Sequence, residues 1–515
     1  MKTQTKMQTK MQTKMKTKVN VMTKKPDLTG KQQSEDVGFR SVLVIGAGAA
    51  GLAAAISAAS CGASVLVLEH MEEAGKKLLL TGNGRCNYTN TDVSPAHYHG
   101  DSTLIASVLA RFDYRTCILF FQKLGIDPCV RRYAYDETGY VYPASGEARS
   151  VRDALWNDAK RLGVRFVLGC TPREIRAKSR RYAVVTACMG KETVYEADSI
   201  IFATGSNAMP RTGSDSSIYP MLKALSVPFR TFRPALCGVK CRESWISDLK
   251  GVRCEAMVKL IADMPDQKQT VSFGSASEAK ACGEEAHCIA SSYGEIQFGD
   301  GLLSGIPVFQ ISRYVSLFME RHGKNEIAYG KNKIARGKGA AALVGAGHAG
   351  GGRADQPQRL VQSGLFNRTE TSAGSKLCLD LLPHMTDGQA VRRITELLER
   401  GQGLYGLLPR KVCSAAESRA GQSETAERRA RCLVAFLKRI VLTPYGTAGF
   451  DHAQCCSGGI PASEIDAQTM ELNSHPGLYA AGELLDVDGE CGGYNLHFAF
   501  ASGVIAGIEA AKKRI

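Results

Sequence analysis

Residues 41–69 have the sequence SVLVIGAGAAGLAAAISAASCGASVLVLE, and this stretch decides the fold. Residues 41–45 and 64–68 are short apolar runs, typical of buried parallel strands. The small apolar residues 50–61 between them favour a helix. The stretch therefore predicts a strand, a turn, a helix and a second strand, which is the building unit of a doubly wound α/β sheet.

The predicted turn carries the pattern G-x-G-x-x-G at Gly46, Gly48 and Gly51. Gly46 permits the tight turn, Gly48 lets the backbone approach a pyrophosphate, and Gly51 lets the helix pack against the strand. Backbone N–H groups at the start of the helix attract phosphate charge. Glu69 follows the second strand, where a carboxylate can bind ribose hydroxyls. Because strand, helix, second strand and acid occur together, the pattern predicts a dinucleotide site.

The composition fits an ordinary folded chain with two or three domains. The chain has 515 residues, of which 44% are hydrophobic and 22% charged. These values exclude a disordered or fibrous protein. Residues 41–68 carry no charge, but their glycines and alanines make a membrane span a poor interpretation. We therefore expect no membrane span.

The net charge of +15 is concentrated in one segment. Residues 1–25 contain eight lysines and no acid, which leaves +7 for the rest. Residues 1–37 lack the apolar core of a signal peptide and are predicted to be a disordered Lys/Thr-rich tail. Nucleic acid is thus an unlikely partner, although the tail could still attract nucleic acid or anionic lipid.

The 17 cysteines form no C-x-x-C pair and no cluster with zinc spacing. This distribution predicts reduced thiols, a cytoplasmic location and no metal site.

Further β-rich runs follow much later in the chain. The runs at 164–168, 182–186 and 193–195 are spaced like a meander, and 197–205 is a buried strand closed by a glycine turn. Residues 476–489 contain another buried strand, and a helix is predicted from about 493 to 512.

Three long strings of the chain resemble a known family. They are GKKL to GNGRCNYTN at 75–90, GYVYP at 139–143 and GELLDVDGECGGYNL at 482–496. The chain resembles glutathione-reductase-type flavoproteins, and among them the bacterial BaiN/RdsA-like, aminoacetone-oxidase-like family of NAD(P)/FAD-dependent oxidoreductases. The resemblance implies an α/β fold with a discontinuous Rossmann-type FAD-binding domain and an inserted cap of β-rich and helical parts.

The implied organisation divides the chain at three places. The FAD-binding domain comprises residues 38–207 and 441–515. The substrate or cap domain comprises 208–440, with a β-rich part (208–320), a flexible Gly-rich insertion (321–375) and a helical part (376–440).

A second G-x-G-x-x-G at 345–350 is interpreted as a chance match, because the glycines and Pro357 that follow would interrupt a helix. Any NAD(P)H would therefore dock transiently. The oligomeric state is left open.

The resemblance also implies which residues bind non-covalent FAD. Gly46, Gly48, Gly51 and Glu69 would hold the ADP half. The other implied contacts are Lys76, Asn83, Gly84, Arg85, Cys86 and Asn87 along the flavin; Ala203, Thr204 and Gly205 on the adenine side; Gly482 and Glu483 at the ribitol; and Asp488, Gly489, Gly492, Gly493, Tyr494 and Asn495 under the isoalloxazine ring. N–H groups after Gly493, at the start of the last helix, would stabilise the anionic reduced flavin.

No catalytic residue is assigned, and three candidates are weak. Cys86 and Cys491 could carry out redox chemistry, but each is better interpreted as a small residue that fits a crowded cofactor wall. His497 stands where the family usually has glutamine, and its apolar neighbours favour packing over proton donation. The histidine that the family commonly has in the loop at 297–307 is absent here.

Three functions remain open. The first is NAD(P)H-dependent reduction of an activated C=C bond in a small organic molecule. The second is oxidation of small amines such as aminoacetone with oxygen as acceptor, and the third is a non-catalytic or RNA-associated flavoprotein. In all enzymatic cases the substrate should lie between cap and flavin, since such clefts form at domain interfaces.

Overall fold

A computed structural model describes residues 41–133, 136–178, 181–188, 190–262, 287–322, 375–421 and 423–512. The predictions for the tail at 1–37, for nearly all of the Gly-rich insertion and for the second glycine pattern at 345–350 concern residues outside these ranges.

The described residues form 22 strands and ten α-helices. The strands are β1 Ser41–Ile45, β2 Ser64–Leu68, β3 Thr89–Asn90, β4 Tyr98–His99, β5 Pro128–Tyr133, β6 Asp136–Pro143, β7 Arg165–Val167, β8 Cys170–Ala177, β9 Tyr182–Cys188, β10 Lys191–Ala197, β11 Ser199–Phe202, β12 Arg230–Ala235, β13 Val239–Cys241, β14 Arg253–Ala262, β15 His287–Phe298, β16 Leu302–Gly305, β17 Ser375–Asp380, β18 Ile440–Leu442, β19 Pro444–Thr447, β20 Cys455–Gly459, β21 Leu478–Ala480 and β22 Asp488–Gly489. The helices are α1 Ala49–Ser60, α2 Ser102–Arg111, α3 Tyr114–Lys123, α4 Ala148–Arg161, α5 Tyr219–Ala224, α6 Ile306–His322, α7 Asp387–Glu399, α8 Arg410–Ala420, α9 Ala426–Leu437 and α10 Tyr494–Ala511.

A five-stranded parallel sheet in the order β21-β11-β1-β2-β7 carries the site. In chain order this is 5-4-1-2-3, the strand order of a Rossmann sheet. The predicted fold class is confirmed, and β1 and β2 have the predicted bounds. Helix α10 packs on α1 because Gly503 and Gly507 bring the two backbones together. A Cβ at either glycine would lie 2.4 or 2.3 Å from the carbonyl oxygen of Ala50 or Ala54.

The predicted meander is wrong in its first strand. The run at 164–168 forms β7 of the parallel sheet, and the antiparallel meander consists of β8, β9 and β10. Strand β8 contains Pro172 and four charged or exposed residues, so its sequence has no clear apolar alternation. It becomes a strand by forming a hairpin with the adjacent β9, a pairing that its own composition does not reveal.

The second large sheet has the order β18-β17-β14-β15-β16-β13-β19 and is antiparallel. It packs with α6 to α9 around a hydrophobic core of its own, which includes Leu260, Phe298 and Leu433. Two local predictions are wrong here. Residues 375–380 are a strand although a helix was expected, and residues 306–322 of the expected β-rich part form the long helix α6.

The structure also corrects the prediction that all thiols are reduced. Cys170 and Cys188 form a disulfide bond. They are directly opposite each other in the antiparallel pair β8–β9, a proximity that their 18-residue separation does not indicate. Within the described ranges, no helix is both long and apolar enough to cross a membrane.

Candidate functional site

A cavity of about 650 Å³ opens at the carboxyl ends of the parallel strands. Its lining includes the residues that follow β1, β2, β11 and β21. Strands β1 and β11 are neighbours. In the strand order, the chain leads from β1 to β2 on one side and from β11 to β21 on the other, so the cavity lies at the topological switch point. Ligands of open α/β sheets bind at this point.

The three glycines after β1 differ in whether the backbone conformation or the packing requires a glycine. Gly46 has a φ of +101°, and a Cβ there would lie 2.5 Å from the carbonyl oxygen of Ala203. A Cβ at Gly51 would lie 1.9 Å from the carbonyl oxygen of Gly46. Gly48 differs from both, since its φ is −79° and a Cβ would meet no atom of the described part of the chain within 4 Å. Neither backbone conformation nor protein packing requires a glycine at position 48.

The carboxylate of Glu69 is buried beside this turn, with 8% of the residue exposed. One oxygen accepts a hydrogen bond from the N–H of Ala47 (2.7 Å) and the other from the N–H of Met71 (2.9 Å). Because two carboxylate oxygens offer about four acceptor positions, Glu69 can still accept hydrogen bonds from hydroxyl groups in the cavity.

The segment after β2 crosses the cavity and reaches the loop after β21. Lys77 Nζ lies 2.6 Å from Oε2 of Glu483, and both side chains are largely buried. Gly82 and Asn83, in the same segment, have φ values of 56° and 55°, and glycine and asparagine tolerate this left-handed conformation best. The turn holds Asn83 and Arg85 at the cavity surface.

Three buried polar atoms of lining residues have no hydrogen-bond partner among the residues that the structure describes. They are Oδ1 of Asn87, Oγ1 of Thr204 and Oε1 of Glu483. A buried polar atom without a partner is costly, by about 1–3 kcal/mol. Together with the open space at Gly48, these atoms fit a large, polar, phosphate-containing group such as FAD, which would supply the missing partners.

Two glycines precede α10 at the other end of the cavity. Gly492 and Gly493 line it with φ values of 148° and 96°. A Cβ at Gly493 would lie 2.6 Å from the carbonyl oxygen of Thr89 and 2.8 Å from Oδ1 of Asn87. Position 493 therefore requires glycine for packing as well as for the predicted approach to the cofactor.

Helix α6 brings the cap to this end of the cavity. Phe309 lines the cavity, and the neighbouring Gln310 accepts a hydrogen bond from the N–H of Cys491 (3.0 Å). Arg313, one turn further on, binds both carboxylate oxygens of Asp488 through Nε at 3.1 and 2.9 Å. Burial raises the pKa of Asp488 to about 6 although Arg313 opposes this. These contacts fix the cap against the loop that precedes α10.

Most of the predicted site residues meet at this cavity. The lining includes Gly46, Gly48, Glu69, Lys76, Asn83, Arg85, Asn87, Ala203, Thr204, Gly205, Gly482, Glu483, Cys491, Gly492, Gly493 and Asn495. Seven named residues do not line it: Gly51, Gly84, Cys86, Asp488, Gly489, Tyr494 and His497. Contact of Asp488, Gly489 and Tyr494 with the flavin ring stays a prediction. Asp488 turns to Arg313, and the backbone of Gly489 pairs with Tyr98.

The two candidate cysteines differ in position. Cys86 is fully buried away from the cavity, and burial raises its pKa to about 12. Cys491 lines the cavity among apolar neighbours, and burial raises its pKa to about 11. Since the thiolate is the reactive form, both environments favour the interpretation as wall or packing residues.

His497 is buried in α10 with both ring nitrogens engaged. Nε2 lies 2.9 Å from the carbonyl oxygen of Phe112 and therefore donates to it, and Nδ1 lies 2.8 Å from Oγ1 of Thr89. Burial lowers the pKa of His497 to about 4. The ring is neutral near pH 7 and lies outside the lining, so the geometry supports the packing interpretation.

Sequence reasoning missed several residues of the site. Lys77 is adjacent to the predicted Lys76, and Glu490 lies within the predicted stretch 482–495, so a closer treatment of those strings could have included them. Gln310 and Arg313 come from the cap and His97 from the segment before β4, and no local signal connects them with the cavity.

Comparison with known proteins identifies the family. The HI0933-like protein Rossmann domain matches residues 40–509. The chain belongs to the HI0933-like family. A 3-dehydro-bile acid delta(4,6)-reductase of Clostridium scindens is 30% identical over 485 residues, covering 91% of this chain and 98% of that protein. Two ribosomal RNA dihydrouridine synthases, from Haemophilus influenzae and Escherichia coli, are 25% and 24% identical and cover 92% and 89% of this chain and 98% and 95% of their own lengths.

Solved structures include a 3-ketosteroid-delta4-(5alpha)-dehydrogenase from Rhodococcus jostii RHA1, which is 16% identical with a TM-score of 0.42 and covers 95% of this chain and 99% of its own. The predicted family resemblance is confirmed. The HI0933-like chain is an FAD-dependent oxidoreductase.

Proposed function

We propose that this HI0933-like protein reduces an activated C=C bond, such as that of a conjugated ketone, with electrons from NAD(P)H. The observation that carries the proposal is the 30% identity, along almost the whole of both chains, with a protein named as a delta(4,6)-reductase. Bound FAD would supply hydride transfer through its N5 position. The chain's own residues would bind the cofactor, orient the substrate and handle protons.

The cavity end near β1 and β2 would hold the ADP half of FAD. Gly48 leaves room for the pyrophosphate at the N-terminus of α1, which has no acidic residue in its first turn. Glu69 would accept hydrogen bonds from ribose hydroxyls, and Thr204 would gain a partner for its buried hydroxyl. This assignment explains why glycine stands at position 48.

The centre of the cavity would hold the ribitol. Oε2 of Glu483 is occupied by Lys77, so Oε1 is the atom free to accept a hydrogen bond from a ribitol hydroxyl. The salt bridge to Lys77 orients this buried carboxylate. Beyond it, the N-terminus of α10 after Gly493 would stabilise negative charge on the reduced ring.

The substrate would lie between this ring and the cap. The apolar side chains of Leu236, Ile306 and Phe309 line the cavity near Cys491. Such a wall suits a carbon skeleton with few charges. NAD(P)H would dock transiently at the same opening, and its supply suits the predicted cytoplasmic location.

A second candidate function is reduction of uridine in ribosomal RNA. Two relatives along nearly the whole chain are named dihydrouridine synthases. Forming dihydrouridine reduces a C=C bond conjugated to a carbonyl group, so the two candidates share one reaction class and differ in the size of the substrate.

Anaerobic mixing of the purified protein with NADH or NADPH tests the source of electrons. Loss of the yellow flavin absorbance with either nicotinamide supports the proposal. Bleaching by an amine such as aminoacetone, with neither nicotinamide active, would show that the protein is an amine oxidase instead.

A further inference from the structure

The loop that lines the cavity before α10 is joined to the surface by a chain of titratable groups. Nδ1 of His97 lies 2.9 Å from Oε2 of Glu490, and Nε2 lies 3.2 Å from Oδ2 of Asp92. Glu490 lines the cavity. The side chains of Glu490, His97 and Asp92 are 34%, 22% and 55% exposed, so Asp92 is the solvent end of the chain.

The geometry of His97 is fixed from three sides. Its backbone carbonyl accepts a hydrogen bond from the N–H of Glu490 (2.9 Å). Its ring stacks on Tyr494, with centroids 4.6 Å apart and an angle of 15° between the planes. With a carboxylate at each ring nitrogen, both nitrogens are placed to donate, and this arrangement stabilises the imidazolium form.

We propose that Asp92, His97 and Glu490 form a proton relay from solvent to the cavity, and that Glu490 gives the substrate the proton that completes C=C reduction. The inference rests on the proposed function. Another imidazole at the cavity, His70, lies 3.5 Å from Glu69 beside the first strands, far along the sequence from the loop that faces the cap.

The proton balance of the reaction requires such a supply. Reduction places a hydride, whose two electrons come from NAD(P)H, on one carbon of the double bond. As the C=C π bond breaks, the Nδ1 proton of the His97 imidazolium passes to the Glu490 carboxylate and from that carboxyl group to the other carbon. His97, now neutral, regains a proton from water beside Asp92. One solvent proton is consumed in each turnover.

The direction of the pH dependence follows from the groups that face His97. The hydrogen bond that His97 donates to Glu490 raises the pKa of His97, with a further contribution from Asp92, while burial opposes both. Among the described residues, Tyr494 also contacts the ring, by stacking on it. Because the imidazolium is the form that carries the proton, the relay should slow as pH rises through this raised pKa.

Stopped-flow measurements on flavin-loaded protein separate the two half-reactions. The variants are His97→Gln and, as a control, His452→Gln at an exposed histidine, and the substrate probe is 4-androstene-3,17-dione. We expect flavin reduction by NAD(P)H to be equal in all three proteins. Reoxidation by the enone should be at least tenfold slower in His97→Gln alone, and its fall with rising pH should disappear. Equal reoxidation rates and pH profiles in wild type and His97→Gln would overturn the relay.

A second measurement does not depend on turnover. In protein labelled with ¹³C-histidine, the signal missing from His97→Gln identifies His97, and Glu490→Gln should lower its titration midpoint. An unchanged midpoint would overturn the relay whatever the substrate. If the wild-type enzyme reduces no enone but the midpoint falls, the C=C assignment fails while the His97–Glu490 coupling stands.

Discussion

Gly48 lies at the cavity, and a bound group would explain why glycine stands there. Its φ of −79° is open to any residue, and a Cβ there would meet no atom of the described residues within 4 Å. Gly46 and Gly51, by contrast, are needed by the protein itself, because a Cβ at either would overlap a backbone oxygen. The three glycines of one motif thus separate into two that build the turn and one that leaves space for a ligand.

Gly48→Val should therefore leave the flavin-free protein as stable as wild type and weaken FAD binding at least tenfold, or about 1.4 kcal/mol. The measurement is the dissociation constant from flavin fluorescence, with thermal unfolding of the flavin-free protein alongside it. Gly446→Val in β19 is the matched control, because this glycine also has an open surrounding and lies outside the cavity. Gly51→Ala should show the reverse pattern, with lower stability even without FAD. Unchanged FAD affinity in Gly48→Val would contradict the placement of the pyrophosphate.

The thiols of Cys86 and Cys491 are predicted to be dispensable for chemistry. Burial raises the pKa of both, so neither supplies thiolate near pH 7. Cys86→Ser and Cys491→Ser should each retain most of the turnover, measured as NAD(P)H consumption with substrate. A double variant with normal FAD content and no turnover would show that the thiols transfer electrons.

At the scale of elements, α10 is anchored by His497, whose neutral ring joins the helix to Thr89 and Phe112. Its pKa of about 4 lies below the value of about 6.5 in an unfolded chain. Between these values the unfolded state binds more protons, so the free energy of unfolding should fall as pH drops from 7 to 4. The contribution of one such histidine is about 3 kcal/mol.

His497→Gln should remove that contribution to the acid sensitivity and keep FAD and turnover, since glutamine can both donate and accept in the same place. Urea unfolding at pH 7 and pH 5 provides the comparison. A residual pH dependence is expected from His99, whose pKa is also lowered to about 4 by burial and by Arg313. Loss of turnover in a stable, flavin-loaded His497→Gln protein would favour proton donation by this histidine.

Elements with clear signals in their own residues could be predicted, and those that depend on pairing with another strand could not. The apolar runs of β1 and β2 and the small residues of α1 specify their structure within 29 residues. Strand β8 was missed because its charged, proline-containing sequence becomes a strand only beside β9. Residues 375–380 pair with β14 and β18, and this partnership outweighs the helical pattern that follows them.

At the scale of the whole molecule, the cofactor half of the site could be predicted better than the substrate half. The glycine turn and the family strings supplied many of the residues that line the cavity. The cap contributes Phe309, Gln310 and Arg313 from one helix, and their position depends on how α6 packs across two sheets. No sequence motif encodes that arrangement, so the substrate could be predicted only by class.

The family match begins at residue 40, outside the lysine-rich residues 1–25, and we predict that these residues are dispensable. Deleting residues 1–25 should leave flavin content and turnover unchanged and reduce only salt-sensitive binding to polyanions such as RNA. The measurement is turnover together with RNA binding at low and high salt. A deletion variant that folds and binds FAD but is inactive would assign the tail a part in catalysis.

The most direct test of the proposed reaction is a single anaerobic turnover with an enone. Protein reduced by NAD(P)H is mixed with 4-androstene-3,17-dione or 2-cyclohexen-1-one, and flavin absorbance and product mass are followed together. We predict that the oxidised flavin spectrum returns without oxygen and that the product is heavier than the enone by two hydrogens. Reoxidation that occurs only when oxygen is admitted, with the enone and ribosomal RNA both unchanged, would contradict the assignment as a C=C reductase.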